Sequence, residues 1–411
     1  MTDLKRNLER KINDLLTIFP VVLILGARQV GKTTLARRCR ADWKYFDLEK
    51  GSDFDFISND FDFFFREYPH QVIFDEAQEL PQLFRELRGV IDADRKQKNR
   101  FILTGSSSPD ILKEASDSLA GRIGIVEVGT MKVNELLQKP LPDFYTLFSN
   151  TLSSQDLDFL KTLKFNNDDF LNYLLKGAYP EPVLSDNQKA YNAWMDNYYR
   201  TYIDRDVKKF FPKLDAIKYR RFIAMLSSLS GTIINKAQLG RALDISEVTA
   251  RDYLDIADKT FIWRSIASYE SSKIKSTTKM PKGIFRDTGL LHFLSNINTR
   301  EQMFTHPNIG YNFESFVIEE IIKGIQATDS YHWAYYYYRT RNGAEIDLIL
   351  TGSFGVLPIE IKFGMSTSLK QLTSLNKFIK ENDLPFGIVV NNSNEIRMIS
   401  DRIIQLPVCM I

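Results

Sequence analysis

The chain has 411 residues, 44% hydrophobic and 26% charged, with a net charge of +2, so it exceeds one ordinary core and points to several globular domains. That near-zero charge leaves any contact with nucleic acid to local patches, and the absence of a run of about 18 apolar residues argues against a membrane span. Cys39 and Cys409 match no metal or redox spacing, and the charged amino terminus has no apolar leader core, so a reducing, cytoplasmic setting is expected.

In chain order, Val21 to Leu25 reads as a strand, followed by Gly26-Ala27-Arg28-Gln29-Val30-Gly31-Lys32-Thr33 and then a helix over Thr33 to Arg40. The eight residues fit G-x-x-x-x-G-K-[ST] between a strand and a helix, the context in which backbone N–H groups cradle phosphate. Lys32 can reach the β- and γ-phosphates, and the Thr33 hydroxyl, with Thr34 beside it, can help hold Mg²⁺. Further strands are expected at Lys44–Leu48, Gln71–Asp75, Arg100–Thr104 and Ile123–Val128, with a helix from Pro81 to Asp92. Short apolar strands separated by helices argue for a parallel sheet covered on both faces, with ligands at the strands' carboxyl ends.

Asp75 and Glu76 end one of these strands. An acid there can support the Mg²⁺ shell, and its neighbour can polarise the attacking water, which argues for hydrolysis as well as binding. In Leu103-Thr-Gly-Ser-Ser-Ser108, Thr104 or Ser106 could bond the γ-phosphate or the water; a packed turn accounts for the same residues equally well. Arg122, before the last strand, could reach a neighbouring subunit's γ-phosphate or serve in a surface ion pair.

From about 134 to 231 the pattern is helical, with Trp194 to Val207 reading as one long amphipathic helix. Helices then follow at Tyr219–Leu229, Asn235–Leu243 and Glu247–Asp258, with Ser246 as an N-cap and a strand over Thr260–Tyr269, which suggests a winged helix-turn-helix. Its second short helix would present Thr249, Arg251 and Tyr253, with Lys236, Arg220, Arg221 and Arg241 on phosphates; Glu247, Asp252, Asp255 and Asp258 oppose this, and protein docking is the alternative. The lysine-rich segment Ser272 to Lys282 is expected to be an inter-domain loop.

The last block begins with a helix over Phe313–Ile325, then strands at Trp333–Arg339, Ala344–Leu350 and Gly355–Lys362, a helix over Ser368–Glu381 and a strand at Phe386–Val390. Asp347 lies thirteen positions before Glu360, and Glu360 and Lys362 share a strand face. Two carboxylates can hold Mg²⁺ against a phosphodiester while a lysine orients water, the PD-(D/E)-x-K nuclease pattern. Glu314 could add a further acid from the preceding helix. Alternating charge on half-buried strands is the competing account. The four histidines form no metal-spaced cluster, and the Trp333 to Tyr338 aromatics fit core packing better than base stacking.

Gly26 to Thr34, Val72-Ile-Phe-Asp-Glu-Ala-Gln78, Leu103-Thr-Gly-Ser-Ser-Ser, Ser118-Leu-Ala-Gly-Arg122, Gly177-Ala-Tyr-Pro-Glu-Pro and Tyr199 to Val207 together resemble the AAA-type P-loop ATPases of bacteria and archaea that carry a C-terminal domain of unknown function. The resemblance runs through nearly the whole chain. It implies an α/β protein with a P-loop parallel-sheet ATPase core (1–133), a helical region (134–218), a winged helix-turn-helix (219–275) and a restriction-endonuclease-like α/β domain with its linker (276–411). ATP rather than GTP follows from the resemblance, with Mg²⁺ as the metal. The resulting expectation is an ATP-hydrolysing protein acting on DNA, with Arg122 working in trans in a homo-oligomer. The alternative is an ATP-driven switch or signalling ATPase that binds DNA or a protein partner without cutting.

Overall fold

The computed structural model describes residues 4–106, 115, 117–165, 169–270, 279–340 and 342–411. The chain divides into one unit of residues 1–131 with 259–261 and a second of residues 132–258 with 262–411.

The first unit is built on five parallel strands: β1 (Val21–Gly26), β2 (Lys44–Asp47), β3 (Val72–Asp75), β4 (Phe101–Ser106) and β5 (Ile123–Val128), in the order β2-β3-β4-β1-β5. β1, β3 and β4 are buried at every position, as central strands covered on both faces must be. The edge strands β2 and β5 are only partly buried. The helix Gln82–Ala93 buries Leu83, Phe84, Leu87 and Ile91, the spacing of one helical face. Phe64 and Phe65, from the short helix Phe61–Glu67, pack with Phe46, Phe74 and Phe101 in the core, while Phe63 of the same helix is exposed.

In the second unit, helices at Gln155–Thr162, Phe170–Lys176 and Gln188–Thr201 precede a π-helical stretch at Tyr202–Val207. The expected single helix over 194–207 therefore changes its hydrogen-bond pattern at Tyr202. Gly177-Ala-Tyr-Pro-Glu-Pro182 is a packing lock. The Ala178 and Leu290 N–H groups donate to the buried Asp287 carboxylate at 2.8 and 2.9 Å, and a Cβ on Gly177 would lie 2.2 Å from Asp287 Oδ1.

Next come the helix Ala216–Leu229, β6 (Thr232–Ile233), the helices Lys236–Leu243 and Glu247–Lys259, β7 (Trp263–Ile266) and β8 (Lys282–Phe285). The strands form an antiparallel sheet ordered β6-β8-β7. Ser246 caps its helix, accepting from Thr249 N–H at 3.0 Å. Two expectations change here. Tyr253 faces inward, edge-on to Tyr219 and Phe222, and is not presented for contact. Lys282 is not in a loop but opens a buried strand, so this sheet extends past residue 275; residues 272–278 of the expected loop lie outside the described residues.

The helix Ile309–Gln326 then leads into β9 (Ala334–Arg339), β10 (Glu345–Gly352), β11 (Gly355–Lys362), the helix Thr373–Glu381, β12 (Gly387–Asn391), β13 (Arg397–Ser400) and β14 (Ile403–Pro407). The sheet order is β13-β14-β12-β11-β10-β9, antiparallel from β9 to β11 and parallel from β11 through β12 to β14. β13 and β14 were not foreseen from the sequence. Gly343 turns the β9–β10 connection at φ 84°, while Arg341 lies outside the described residues. The helix Ile309–Gln326 is buried continuously from Asn312 to Ile322, including Glu314, Glu319 and Glu320. Each acid on this buried helix has a basic partner: Lys282, Arg264 and Lys132.

Candidate functional site

The first cluster lies at the carboxyl ends of β1, β3 and β4. Gly26 is required by close approach, because a Cβ there would sit 2.1 Å from the Val128 carbonyl oxygen of β5. Gln29 and Gly31 take positive φ, 62° and 90°, curling Ala27–Val30 back over the start of the helix Lys32–Cys39. Lys32 Nζ donates to the Ala27 carbonyl at 2.9 Å, and Arg28 pairs with Glu49 at 2.7 Å. Arg6, unremarked in the sequence, braces the loop from outside by donating to the Val30 carbonyl at 2.8 Å and the Gly129 carbonyl at 3.0 Å.

Asp75 and Glu76 are brought to this loop. Thr33 Oγ1 donates to Asp75 at 2.8 Å, joining the loop to the end of β3. Tyr45 of β2 donates to the same carboxylate at 2.7 Å, and Thr104 donates to its other oxygen. Burial, then the bond to Asp75, raises the Tyr45 hydroxyl well above its ordinary range, so it stays a donor. Tyr45 carried no motif signal; only the β2–β3 register, Tyr45 beside Ile73, brings it here.

Glu76 adopts a left-handed backbone, φ 53°, uncommon for a side chain of this size and characteristic of functional turns. Its carboxylate accepts from Ser106 Oγ at 3.1 Å, Ser106 N–H at 3.3 Å and Gln78 Nε2 at 2.6 Å. Burial alone would raise its pKa. The charge of Lys32, the Gln78 bond, Arg28 and the Ser106 N–H outweigh this and hold it below the ordinary glutamate value, an ionised carboxylate at neutral pH. Thr104 and Ser106 thus position the two acids.

Arg122 is placed elsewhere. It precedes β5, whose first residue pairs with Val21, so it lies at the amino end of the sheet, away from the loop after Gly26. Its Nε and Nη2 donate to Asp92 at 2.8 and 2.9 Å. Within its own unit it makes the ion pair that the sequence left open as an alternative.

The second cluster joins β8, the helix Ile309–Gln326, β10 and β11. Asp347 and Glu360 are buried cross-strand neighbours, and Lys362 bonds Glu360 at 2.6 Å and approaches Asp347 at 3.5 Å. Asp347 also accepts from Ile361 N–H at 2.8 Å. Glu314 joins them, as expected from the sequence. The unexpected member is Lys282, whose ammonium contacts Glu314, lies 3.1 Å from Glu345 and 3.7 Å from Asp347, and is wholly buried. Burial and then the Asp347 charge push Glu314 up to about 8 against the pull of Lys282. Burial and the same neighbour also raise Glu360, whose Oε2 is buried without a hydrogen-bond partner.

The two clusters treat a metal differently. At the first, the Thr33 hydroxyl and the Asp75 carboxylate, held by neutral donors beside a glycine-lined loop, suit Mg²⁺ with a triphosphate. At the second, the carboxylates already surround two ammonium groups. Among the described residues no three His, Cys, Asp or Glu side chains are disposed to hold a metal ion. Asp347 and Glu360, expected from the sequence to ligate Mg²⁺, are brought together here with Lys362, and Lys282 lies against Asp347.

Residues 19–137 match the model of the AAA domain, residues 167–301 that of a domain of unknown function (DUF8612) and residues 309–411 that of another (DUF4143). Uncharacterized proteins of Mycobacterium bovis and Mycobacterium tuberculosis are each 29% identical over 390 residues, covering 94% of this chain and 80% of theirs. Among solved structures, a Walker-type ATPase of Pyrococcus abyssi is similar at a TM-score of 0.40 and 16% identity, covering 70% of this chain and 94% of that one. The RuvB Holliday junction branch migration motor of Thermotoga maritima has a TM-score of 0.27 at 14% identity, covering 64% and 89%. Residues 19–137 carry an AAA-type P-loop ATPase domain, a nucleotide-binding and hydrolysing module. No helix among the described residues is long and apolar enough to cross a membrane.

Proposed function

We propose that the protein hydrolyses ATP with Mg²⁺ and uses the cycle to act on DNA through its second unit. The observation that carries hydrolysis is the joining of Thr33, Asp75 and Glu76 in one hydrogen-bonded group at the phosphate loop. Mg²⁺ bound there with the triphosphate would neutralise charge developing on the transferring phosphoryl group. Gly26, Ala27, Arg28, Gln29, Val30 and Gly31 form the backbone cradle, and Thr34 continues it into the helix. Lys32 is placed to exchange the Ala27 carbonyl for phosphate oxygens. Thr33 and Asp75 would hold the metal shell, with Tyr45 and Thr104 orienting Asp75. Glu76, held ionised, would accept a hydrogen bond from the attacking water. ATP turnover measured with Glu76→Gln and Lys32→Ala tests the assignment, and undiminished turnover in either variant would refute it.

Action on DNA is supported by two arrangements in the second unit. The helix–strand–helix–helix–strand–strand order from 216 to 285, with β8 between β6 and β7, supports reading it as a winged helix. The helix–three-strand–helix–strand order from 309 to 391, with Asp347, Glu360 and Lys362 on adjoining strands, supports reading it as nuclease-like. Assembly into a homo-oligomer belongs to the same reading; for Arg122 to act in trans there it would first have to leave Asp92. The second reading is an ATP-driven switch that binds DNA or a protein partner without cutting. Lys282, filling the carboxylate cluster, favours it. Incubating supercoiled plasmid with Mg²⁺ or Mn²⁺, with and without ATP, separates the two: nicking abolished by Asp347→Ala supports a nuclease, and intact plasmid throughout supports the switch.

A further inference from the structure

Four carboxylates, Glu314, Glu345, Asp347 and Glu360, meet on one side of β10 and β11; Lys362 and Lys282 lie among them, and Arg339 approaches Glu345 from the edge strand at 3.9 Å. Lys362 comes from the same strand as Glu360 and is partly exposed. Lys282 comes from a different sheet and is 1% exposed.

Its direction is dictated by β8. Successive strand side chains point to opposite faces. At Gly283 the Trp263 ring lies so close that a Cβ would be 2.1 Å from it, so that face belongs to the tryptophan and Lys282 must point the other way. The hairpin is also held in place: Tyr337 N–H donates to the Ala267 carbonyl at 3.0 Å, Tyr337 Oη to the Met280 carbonyl at 2.6 Å, and Arg264 forms a buried ion pair with Glu319. A single ammonium therefore stands where Glu314, Glu345 and Asp347 converge.

We infer that Lys282 is the built-in cation of this carboxylate cluster, and that it excludes a divalent ion from Glu314, Glu345 and Asp347 as long as β8 keeps its place. The inference rests on reading the cluster as the nuclease-like site and adds how that site is controlled. A divalent ion at carboxylates within about 4 Å of a buried ammonium meets like charge in a medium that screens it poorly. The ion and the ammonium exclude each other. Removing the charge of Lys282 leaves the acids converging with one fewer counter-charge and the Glu360 Oε2 already lacking a partner.

The test is Mn²⁺ binding to the full chain without nucleotide, read by electron paramagnetic resonance of unbound Mn²⁺. Wild type, Lys282→Gln, Lys282→Met, and each lysine variant combined with Asp347→Asn are compared. Cooperative thermal unfolding verifies each fold, and Lys282→Met, which keeps the volume of the chain, serves where Lys282→Gln fails to fold. The expected result is one added Mn²⁺ in the Lys282 variants, bound at least about tenfold more tightly than by wild type and lost with Asp347→Asn. Equal binding by wild type and the folded Lys282 variants overturns the inference, as does absence of an added site in those variants. The readout is independent of cleavage. Plasmid left intact by every variant counts against the nuclease reading alone, whereas Mn²⁺ held by wild type in an Asp347-dependent way counts against the latch alone.

Discussion

The two carboxylate clusters of this molecule are built from similar acids and differ in what surrounds them. Asp75 is held by three hydroxyls, those of Thr33, Tyr45 and Thr104. Asp347 and its neighbours are held by two ammonium groups. Neutral donors orient a carboxylate without cancelling its charge, so the first cluster retains its attraction for a cation. The lysines offset only part of the charge, since four carboxylates meet two ammonium groups, and burial with the Asp347 charge raises Glu314 and Glu360. Like residues on adjacent strands thus yield one cluster held by neutral donors and one already occupied by lysines. Sequence motifs do not distinguish the two.

The largest expected effect sharpens the contrast at the first cluster. Glu76→Gln keeps the Ser106 and Gln78 surroundings but removes the ionised carboxylate, and should lower ATP turnover by about 10²–10⁴-fold with nucleotide binding retained. A loss confined to KM would break the assignment. In the second unit, where charge is balanced by pairing, Glu319→Ala leaves Arg264 and Arg286 without their buried acid and should cost about 3–5 kcal/mol in chemical denaturation. A cost below about 1 kcal/mol, usual for exposed pairs, would mean that water reaches this helix.

A third test uses pH. His292 is buried, with Nδ1 3.1 Å from the Leu175 carbonyl, which only accepts, so Nδ1 carries the proton and Nε2 accepts from Asn312. Burial lowers its pKa from 6.5 to about 4. The unfolded chain then binds more protons between these values, so stability present above pH 6.5 is lost as pH falls toward 4. The full effect is about 3 kcal/mol, read as the difference between wild type and His292→Gln in unfolding midpoints across that range. Parallel pH profiles would refute it.

Tyr45→Phe removes one of three donors to Asp75 and should reduce kcat/KM for ATP by about fivefold, the worth of one neutral hydrogen bond; no change would show that Thr33 and Thr104 suffice. The smallest effect is expected at Arg122. With its guanidinium engaged by Asp92 far from its own phosphate loop, Arg122→Ala should change turnover by less than about threefold, as for a partly exposed ion pair. A fall of about 10³-fold would instead show the arginine acting in trans in an oligomer.

Much of the first unit was legible because its chemistry is local. The phosphate loop occupies eight consecutive residues, and Asp75 and Glu76 follow a continuous apolar run. The role of Tyr45 was not legible, since it depends on which strand lies beside β3. In the second unit, Asp347, Glu360 and Lys362 were visible through strand alternation, and Glu314 through its helix. Lys282 was hidden. It sits in a lysine-rich stretch that reads as a solvated loop, and its burial depends on Trp263 taking the opposite face of β8. Tyr253 misled for the converse reason: helical spacing alone does not say which side of Glu247–Lys259 meets Tyr219 and Phe222.

By itself the sequence determined the strand–loop–helix that makes a phosphate cradle, the acids beside it, the five strands of the first sheet, and the carboxylates of the C-terminal sheet. These follow from spacing along the chain, which sets which face a residue shares with its neighbours. Tertiary structure alone decided the counter-charges: Tyr45 and Thr104 on Asp75, Asp92 on Arg122, Arg264 on Glu319 and Lys282 on Glu314. Those pairings join residues 29 to 55 positions apart in the chain. Electrostatic balance is set by distance in space and by burial, and neither quantity is written in local spacing.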